Sequence, residues 1–380
     1  MMRLLLLLLL LVAIVQLCFF VVSNKSIMKR LHISPVLGTM SFSAQTNKDT
    51  ATAMMESFAK NGFQLIDTAS MYCNGETEIL IGNIFLERPN LRKLLTLHTK
   101  ANPFTPQNGF TLSPESINRQ LSSSLTSLGC MSVGLYYLHA PDVNNSLQNI
   151  LATIQDAYTA GKFVQFGLSN YASWEVVFIY YYMKERGWII PTIYQGMYNA
   201  ITREVEADLL PALKRLNMSF YAYNPLAGGM LSGKHTKASA EKLEEGRFNK
   251  DSFWGQKYRE RYMQDVQFDA VAVVQAACDR ADISLSNASL RWLIHHSNLS
   301  AHRGDAVIIG ASRMEHYLDN IVPFESTSAD GKVCEEAAEN RNVSGPLPSS
   351  ILDAFEAAWQ IIKAAGACPR YSRGVSKWEE

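Results

Sequence analysis

The sequence predicts an α/β fold in which a single (β/α)8 barrel, the TIM-barrel architecture, follows an N-terminal hydrophobic segment. From residue 35 onward, short apolar runs alternate with helix-like stretches through about 280 residues, an ordinary length for one such barrel. Three successive runs each end in an ionisable side chain, and a parallel barrel collects the ends of its strands at one rim. A doubly wound sheet is the alternative, but it usually carries a GxGxxG turn, and the sequence contains none.

Strands and helices alternate in the order that this fold requires. The strand candidates are residues 36–40, 63–67, 94–100, 133–139, 164–168, 192–195, 219–223 and 306–310. Helical stretches include residues 50–60, 76–86, 114–128, 147–160, 174–186 and 351–364. Ser113 followed by Pro114 is a typical helix start. Gly62, Gly129 and Gly161 stop helices where a left-handed residue is needed.

The composition fits one barrel with additions. The chain has 380 residues, 47% hydrophobic and 18% charged, so a large core is available. A net charge of +0 gives no electrostatic reason to expect nucleic-acid binding. The six cysteines contain no CxxC pair, so we expect no metal site.

We predict a hydrophobic segment at 1–30, the barrel at 31–373 with a flexible insertion at 325–349, and a tail at 374–380.

The N-terminal segment is long enough to span a bilayer. Residues 4–22 are apolar at all but one position. One cation precedes them and three follow within residues 23–30, which favours a catalytic domain in the cytosol. We expect a signal anchor in the endoplasmic reticulum or Golgi membrane. The alternatives are a cleaved signal peptide, which gives a secreted or lumenal protein, and a soluble cytosolic protein that starts at Met28.

Four ionisable residues at the predicted strand ends suit proton delivery to a carbonyl oxygen. Asp67 closes one apolar run, Tyr72 follows it, and Lys100 and His139 close the next two runs. A tyrosine, with a pKa near ~10, must become more acidic to act at neutral pH, and a nearby ammonium favours its anion. Asp67 could hold that ammonium, and His139 could orient the carbonyl.

Longer motifs identify a family. They are VLGTM at 36–40, DTA at 67–69, HTKANP at 98–103, YLHAPD at 137–142, GKF at 161–163, YASWE at 171–175, YQGMYNAITR at 194–203 and NPLAGG at 224–229. With them the chain resembles the aldo-keto reductase superfamily, most closely its aflatoxin-aldehyde (succinic semialdehyde) reductase branch. The resemblance implies a barrel that binds NADPH across its C-terminal face. It also implies that Tyr72 donates the proton, Lys100 lowers its pKa, Asp67 pairs with Lys100 and His139 orients the carbonyl.

The resemblance also implies a set of cofactor contacts. Ser169, Asn170 and Gln195 match residues that bind the nicotinamide carboxamide, and Tyr223 matches the aromatic that stacks on the ring. The other implied contacts are Thr39, Met40, Asp67, Asn224, Pro225, Leu226, Gly228, Gly229, Lys234, Arg247, Gly310, Ser312, Arg313, His316 and Asn320. The group from 310 to 320 matches the segment that holds the 2′-phosphate, with His316 where this branch usually has glutamine and Arg313 in place of a small polar residue.

The substrate side of the resemblance adds two arginines. Arg261 matches a residue that faces the active site, and Arg373 matches a terminal arginine. Together with His139 they suit a carboxylated or dicarbonyl aldehyde. We therefore expect an NADPH-dependent aldehyde reductase with a small-molecule substrate, and, from the resemblance, a homodimer. The alternatives are an NADPH-sensing auxiliary subunit with little turnover, and a steroid or sugar reductase on the same fold.

Overall fold

The computed structural model describes residues 32–105, 109–240, 243–244, 246–325 and 344–378. Eight parallel strands form a closed barrel in chain order, and β1 pairs with β8 to close it. The strands are β1 Ser34–Gly38, β2 Leu65–Asp67, β3 Thr96–Ala101, β4 Val133–Leu138, β5 Phe163–Ser169, β6 Pro191–Met197, β7 Ser219–Tyr223 and β8 Ala306–Gly310. The predicted (β/α)8 barrel is therefore confirmed.

Helices surround the barrel and connect its strands. They are Lys48–Lys60, Glu76–Glu87, Pro89–Leu94, Pro114–Ser127, Leu147–Thr159, Ser173–Glu185, Leu209–Leu216, Lys237–Ala240, Phe253–Tyr262, Asp265–Arg280, Leu285–His295, Met314–Glu325 and Ser349–Ala364. Ser113 caps the helix that Pro114 opens, because its side chain accepts a hydrogen bond from the Ser116 amide, which confirms the predicted helix start. Short 3-10 turns occupy Tyr72–Gly75, Glu204–Glu206, Ala227–Ser232, Gly246–Phe248 and Ala301–Arg303.

Several predicted strand boundaries were wrong by one or two residues, and two of them are instructive. The third strand does not include Leu94, which ends the short helix Pro89–Leu94. The first strand ends at Gly38, so Thr39 and Met40 lie in the loop above it. An apolar run marks the middle of a buried strand well, but it continues into any neighbouring element that is also buried.

The core has an inner and an outer part. Inside the barrel, side chains from several strands pack together, among them Tyr137 of β4 and Tyr221 of β7. Gly167 on β5 makes room for this packing, because a Cβ there would lie 2.5 Å from the Tyr137 ring. The larger outer cluster fills the space between the strands and the helices. The interior of the barrel is therefore filled by side chains.

The two predicted additions lie mainly outside the described residues. The apolar segment at 4–22 is among them, and none of the helices within the described ranges is long and apolar enough to span a bilayer. Most of the insertion at 325–349 is also outside. Its described end is held by Arg291, whose Nε donates to the Gly345 carbonyl at 2.7 Å and whose Nη2 donates to the Pro346 carbonyl at 2.8 Å.

Candidate active site

A cavity of about 580 Å³ opens at the C-terminal ends of the strands. This is the end at which barrels of this kind carry their sites. Most residues predicted for the site line it. They are Thr39, Met40, Asp67, Tyr72, His139, Asn170, Gln195, Tyr223, Asn224, Pro225, Leu226, Gly228, Gly229, Lys234, Arg247, Gly310, Ser312, His316, Asn320 and Arg373.

Four predicted residues are not in the cavity wall. Lys100 and Ser169 lie just beneath it, and both are fully buried. Arg313 is exposed. Arg261 lies three positions after Tyr258 on the helix Phe253–Tyr262, and its guanidinium packs 5.5 Å from the centroid of the Tyr258 ring. Tyr258 itself lines the cavity, so Arg261 lies behind that wall, and its predicted contact with the substrate stays a prediction.

The four predicted catalytic residues meet at the base of the cavity. The Lys100 ammonium lies 2.7 Å from Asp67 Oδ2 and also donates to the Thr68 carbonyl at 2.6 Å. The same nitrogen lies 5.2 Å from the centroid of the Tyr72 ring. The His139 ring stands edge-on to the Tyr72 ring with the two centroids 6.2 Å apart. A tyrosine hydroxyl and an imidazole therefore share one end of the cavity above a buried ion pair.

A tight turn follows Tyr72 directly. The 3-10 segment begins at Tyr72, and the next three residues have positive φ angles of 48° at Cys73, 55° at Asn74 and 96° at Gly75. This left-handed run reverses the chain between β2 and the helix Glu76–Glu87, and Gly75 adopts it without steric cost. The turn fixes Tyr72 at the edge of the cavity.

Asp67 has a second partner that sequence reasoning did not find. Its Oδ1 accepts a hydrogen bond from Gln195 Nε2 at 2.8 Å, while Oδ2 faces Lys100. Both carboxylate oxygens are therefore satisfied, as a buried charge requires. Strand-end spacing places Asp67 and Gln195 at the same rim, but only the closed barrel brings β2 and β6 across from each other.

Burial sets the protonation of His139 and Tyr72, two groups that face the cavity. It lowers the pKa of His139 well below its ordinary value, and the positive charges of Lys100 and Arg373 lower it further. His139 is therefore a neutral imidazole that can donate one N–H. Burial also raises the pKa of Tyr72 well above its ordinary value, with Asp67 as the next cause. Lys100 is directed to Asp67 and the Thr68 carbonyl, and its predicted effect on the Tyr72 pKa stays a prediction.

Asn170 connects three sides of the cavity. Its Nδ2 donates to the His139 carbonyl at 2.7 Å, and its Oδ1 accepts from the Tyr223 hydroxyl at 2.8 Å. Its own carbonyl accepts from the Arg373 amide at 2.8 Å. Asn170 thus holds the ends of β4, β5 and β7 and the C-terminal segment in one arrangement. Its positive φ of 63° is a conformation that asparagine tolerates better than most residues.

The other end of the cavity suits a phosphate-bearing ligand. Lys234 Nζ and His316 Nε2 lie 2.9 Å apart in the cavity wall, which also includes Ser312, two positions before the helix Met314–Glu325. Gly228 has a φ of 71°, and a Cβ there would come within 2.7 Å of the Tyr258 ring, so the loop above β7 needs glycine. With the amide groups of Asn170 and Gln195 at the opposite end, these residues fit an elongated dinucleotide.

Sequence reasoning missed an aromatic wall beside His139. The Phe104 ring stands edge-on to the His139 ring at 5.1 Å and to the Trp254 ring at 5.7 Å between centroids. The Arg373 guanidinium lies 5.2 Å from the centroid of the Phe104 ring. Phe104 and Trp254 sit in or next to loops, where no strand-end pattern marks them. They make the substrate end of the cavity apolar with one cation at its edge.

Comparison with known proteins agrees with this geometry. A model of the Aldo/keto reductase family matches residues 36–337. The chain belongs to this family. It is 41% identical over 343 residues to aflatoxin B1 aldehyde reductase member 2 of Rattus norvegicus, which covers 89% of this chain and 87% of that protein. The human protein of the same name is 40% identical over 346 residues, 90% of each chain. Human aldo-keto reductase family 7 member A3 is 38% identical, covering 91% of this chain and 99% of that protein.

Membership of the aldo/keto reductase family makes this protein an oxidoreductase, and it confirms the family drawn from the motifs. The chemistry available at the base of the cavity is consistent with carbonyl reduction. Tyr72 supplies an O–H and His139 an N–H at one end of an enclosed space. Beneath them, the Lys100 ammonium and the Asp67 carboxylate form an ion pair that is shielded from water.

Proposed function

We propose that this protein is an NADPH-dependent aldehyde reductase that converts small carboxylated or dicarbonyl aldehydes to alcohols. The observation that carries the proposal is the buried Lys100–Asp67 pair beneath Tyr72, with His139 beside it. NADPH would supply the hydride for the carbonyl carbon. Membership of the aldo/keto reductase family and the aldehyde-reductase names of the relatives support the assignment.

The chain's own residues would hold the cofactor and the proton. Asn170 and Gln195 would bind the carboxamide end, and Lys234 and His316 would bind phosphate at the other end. Tyr72 would give its hydroxyl proton to the oxygen as negative charge develops there. Because the pKa of Tyr72 is raised by burial, it stays protonated at neutral pH until the oxygen becomes a stronger base.

His139 would orient the carbonyl and stabilise charge on its oxygen. A neutral imidazole can donate one N–H to the carbonyl oxygen, and this hydrogen bond strengthens as negative charge develops there. Phe104 and Trp254 would exclude water from the same space. The exclusion of water strengthens every electrostatic contact to the developing charge.

Arg373 supports a carboxylated substrate. It is the cation at the edge of the aromatic wall, and a guanidinium binds a carboxylate through two parallel hydrogen bonds. We expect Arg373→Met to raise KM for succinic semialdehyde about tenfold or more while leaving butanal reduction nearly unchanged. Steady-state NADPH oxidation with both aldehydes measures this. Equal losses for the charged and uncharged aldehydes would contradict a carboxylate-binding role.

The same assay tests the function as a whole. Oxidation of NADPH that depends on added aldehyde is the expected result. Tight binding of NADPH without turnover on any aldehyde would instead favour a nucleotide-sensing subunit.

We further propose that residues 4–22 tether the barrel to a membrane, with the catalytic domain in the cytosol, and that the protein is a homodimer. The length and apolar character of the segment support the tether. The dimer rests on family resemblance. Carbonate extraction of membranes that contain the full chain should leave it in the pellet, and recovery of the intact chain in the supernatant would contradict the tether. Sedimentation in detergent should give twice the mass of one chain, and a monomer would exclude the dimer.

A further inference from the structure

Lys234 and His316 form an unusual contact at the cofactor end of the cavity. Lys234 lies in the segment after β7, His316 lies in the first turn of the helix Met314–Glu325, and their side-chain nitrogens are 2.9 Å apart. An ammonium has three donors and no acceptor, so the imidazole nitrogen must accept this hydrogen bond. His316 is therefore neutral in this contact, with its proton on Nδ1.

Partial burial and the charge of Lys234 oppose protonation of His316 in this contact. Burial is the main cause that lowers the pKa of His316, followed by Lys234. Arg313 lowers the His316 pKa as well, whereas Glu315 and Asp319 on the same helix raise it. His235, next to Lys234 in sequence, is turned to the Phe248 ring at 5.1 Å. Two cations in direct contact would repel, unless an anion lay between them.

A bound phosphate monoester would instead favour the protonated form of His316. It carries a charge of about −1.5 to −2 near neutral pH and offers three acceptor oxygens. Between Lys234 and His316 it could accept from the ammonium and from both states of the imidazole, but best from the imidazolium. Ser312 and the helix N-terminus lie on the same side of the cavity and add donors for an anion. Binding of the dianion would therefore raise the proton affinity of His316.

We propose that Lys234 and His316 form a proton-linked clamp for the 2′-phosphate of the cofactor, so that NADP(H) takes up a proton on binding whereas NAD(H) does not. The inference rests on the proposed nicotinamide cofactor. The protonation of His316 then makes the preference between the two cofactors depend on pH. The preference for NADP(H) over NAD(H) then weakens as pH rises, because the proton that strengthens the clamp becomes harder to acquire.

Proton uptake can be measured without turnover. Titration calorimetry with NADP⁺ at pH 7.5, in buffers of different ionisation enthalpy, gives the number of protons taken up. At this pH the phosphate itself is already a dianion, so it contributes little. We expect a fraction of a proton up to about one for the natural chain, and a Kd for NADP⁺ that rises about three- to tenfold from pH 6.5 to pH 8. NAD⁺ should show neither effect.

His316→Gln keeps a hydrogen-bonding side chain but cannot titrate, so it should lose the proton uptake and flatten the pH dependence of the Kd. His302→Gln is the matched control, because His302 is exposed in the turn Ala301–Arg303 before β8, away from the cavity. Equal uptake by the natural chain and His316→Gln would overturn the clamp while leaving the NADPH proposal intact. Uptake with both NADP⁺ and NAD⁺ would overturn the assignment to the 2′-phosphate. Failure of either nucleotide to bind would overturn the proposed function itself.

Discussion

At the scale of single residues, the site depends on charges that are buried but fully paired. Lys100 and Asp67 are 0% and 3% exposed, and each would be costly to bury alone. Their mutual contact, with the Thr68 carbonyl and the Gln195 amide, satisfies both groups. The pair can therefore remain ionised out of reach of water, which is where a fixed charge acts most strongly on a reacting oxygen.

The buried histidines make the fold sensitive to acid. His98 lies two positions before Lys100 inside the barrel and stacks on Tyr221 with 6.1 Å between ring centroids. Burial, with Lys100 as the second cause, lowers the pKa of His98 to about 3. The unfolded chain takes up a proton at this histidine below about pH 6.5, while the folded chain stays neutral. Its contribution to stability is thus complete above that pH and is lost as the pH falls toward 3.

We predict that His98 makes the free energy of unfolding depend measurably on pH. Between pH 6 and pH 5 the free energy of unfolding should fall by up to about 1.4 kcal/mol per pH unit for His98 alone. His98→Phe keeps an aromatic ring for the stack on Tyr221 and should reduce the slope by that amount. Urea unfolding at a series of pH values measures it, with the exposed His302→Gln as control. An unchanged slope in His98→Phe would show that His98 is already charged or hydrated in the folded state.

At the scale of elements, the loop after β7 shapes the cofactor end of the cavity. Gly228 and Gly229 have φ angles of 71° and 114°, and the loop passes directly over the Tyr258 ring. Tyr258 in turn accepts a hydrogen bond from Arg247 at 3.1 Å and donates one to Asn224 at 3.1 Å. A displacement of this loop would therefore move several cavity-lining groups together.

Gly228→Ala should weaken cofactor binding through that displacement. The added Cβ would lie 2.7 Å from the Tyr258 ring in a backbone conformation that alanine rarely adopts. We expect the Kd for NADPH to rise about tenfold or more, a cost of roughly 1.4 kcal/mol. Gly129→Ala is a matched control, since Gly129 also has a positive φ of 63° but no atom within 4 Å of an added Cβ. Similar losses of NADPH affinity in the two variants would mean that general backbone strain, and not the contact with Tyr258, is responsible.

At the scale of the whole molecule, the barrel and the base of its site could be predicted because both follow from strand order. Asp67, Lys100 and His139 close or follow successive strands, and a closed parallel barrel brings such positions to one rim. The hydrogen bond between Gln195 and Asp67 was not predicted, because the two residues lie 128 positions apart in sequence. Phe104 was missed because it lies in a loop, which carries no period, and Trp254 because its helix, Phe253–Tyr262, shows no clear apolar period.

The pKa of Tyr72 shows a different limit of the sequence. The family motifs place the Lys100 ammonium near the Tyr72 phenol, and proximity alone predicts a lowered pKa for Tyr72. In the folded protein, burial of the hydroxyl is the main cause that raises the Tyr72 pKa, and the charge of Asp67 acts in the same direction. How far a group is enclosed depends on residues distant in sequence, such as Arg247 and Tyr258, and no local pattern reports it.

The most direct test of the account is the turnover of NADPH and succinic semialdehyde by Tyr72→Phe. Removing only the hydroxyl takes away the proton donor and leaves the ring above Lys100, so kcat should fall about 10²- to 10⁴-fold with the Kd for NADPH nearly unchanged. Tyr158→Phe, at an exposed position on the helix Leu147–Thr159, should turn over like the natural chain. Full activity in Tyr72→Phe would contradict the account, because another group would then have to protonate the carbonyl oxygen.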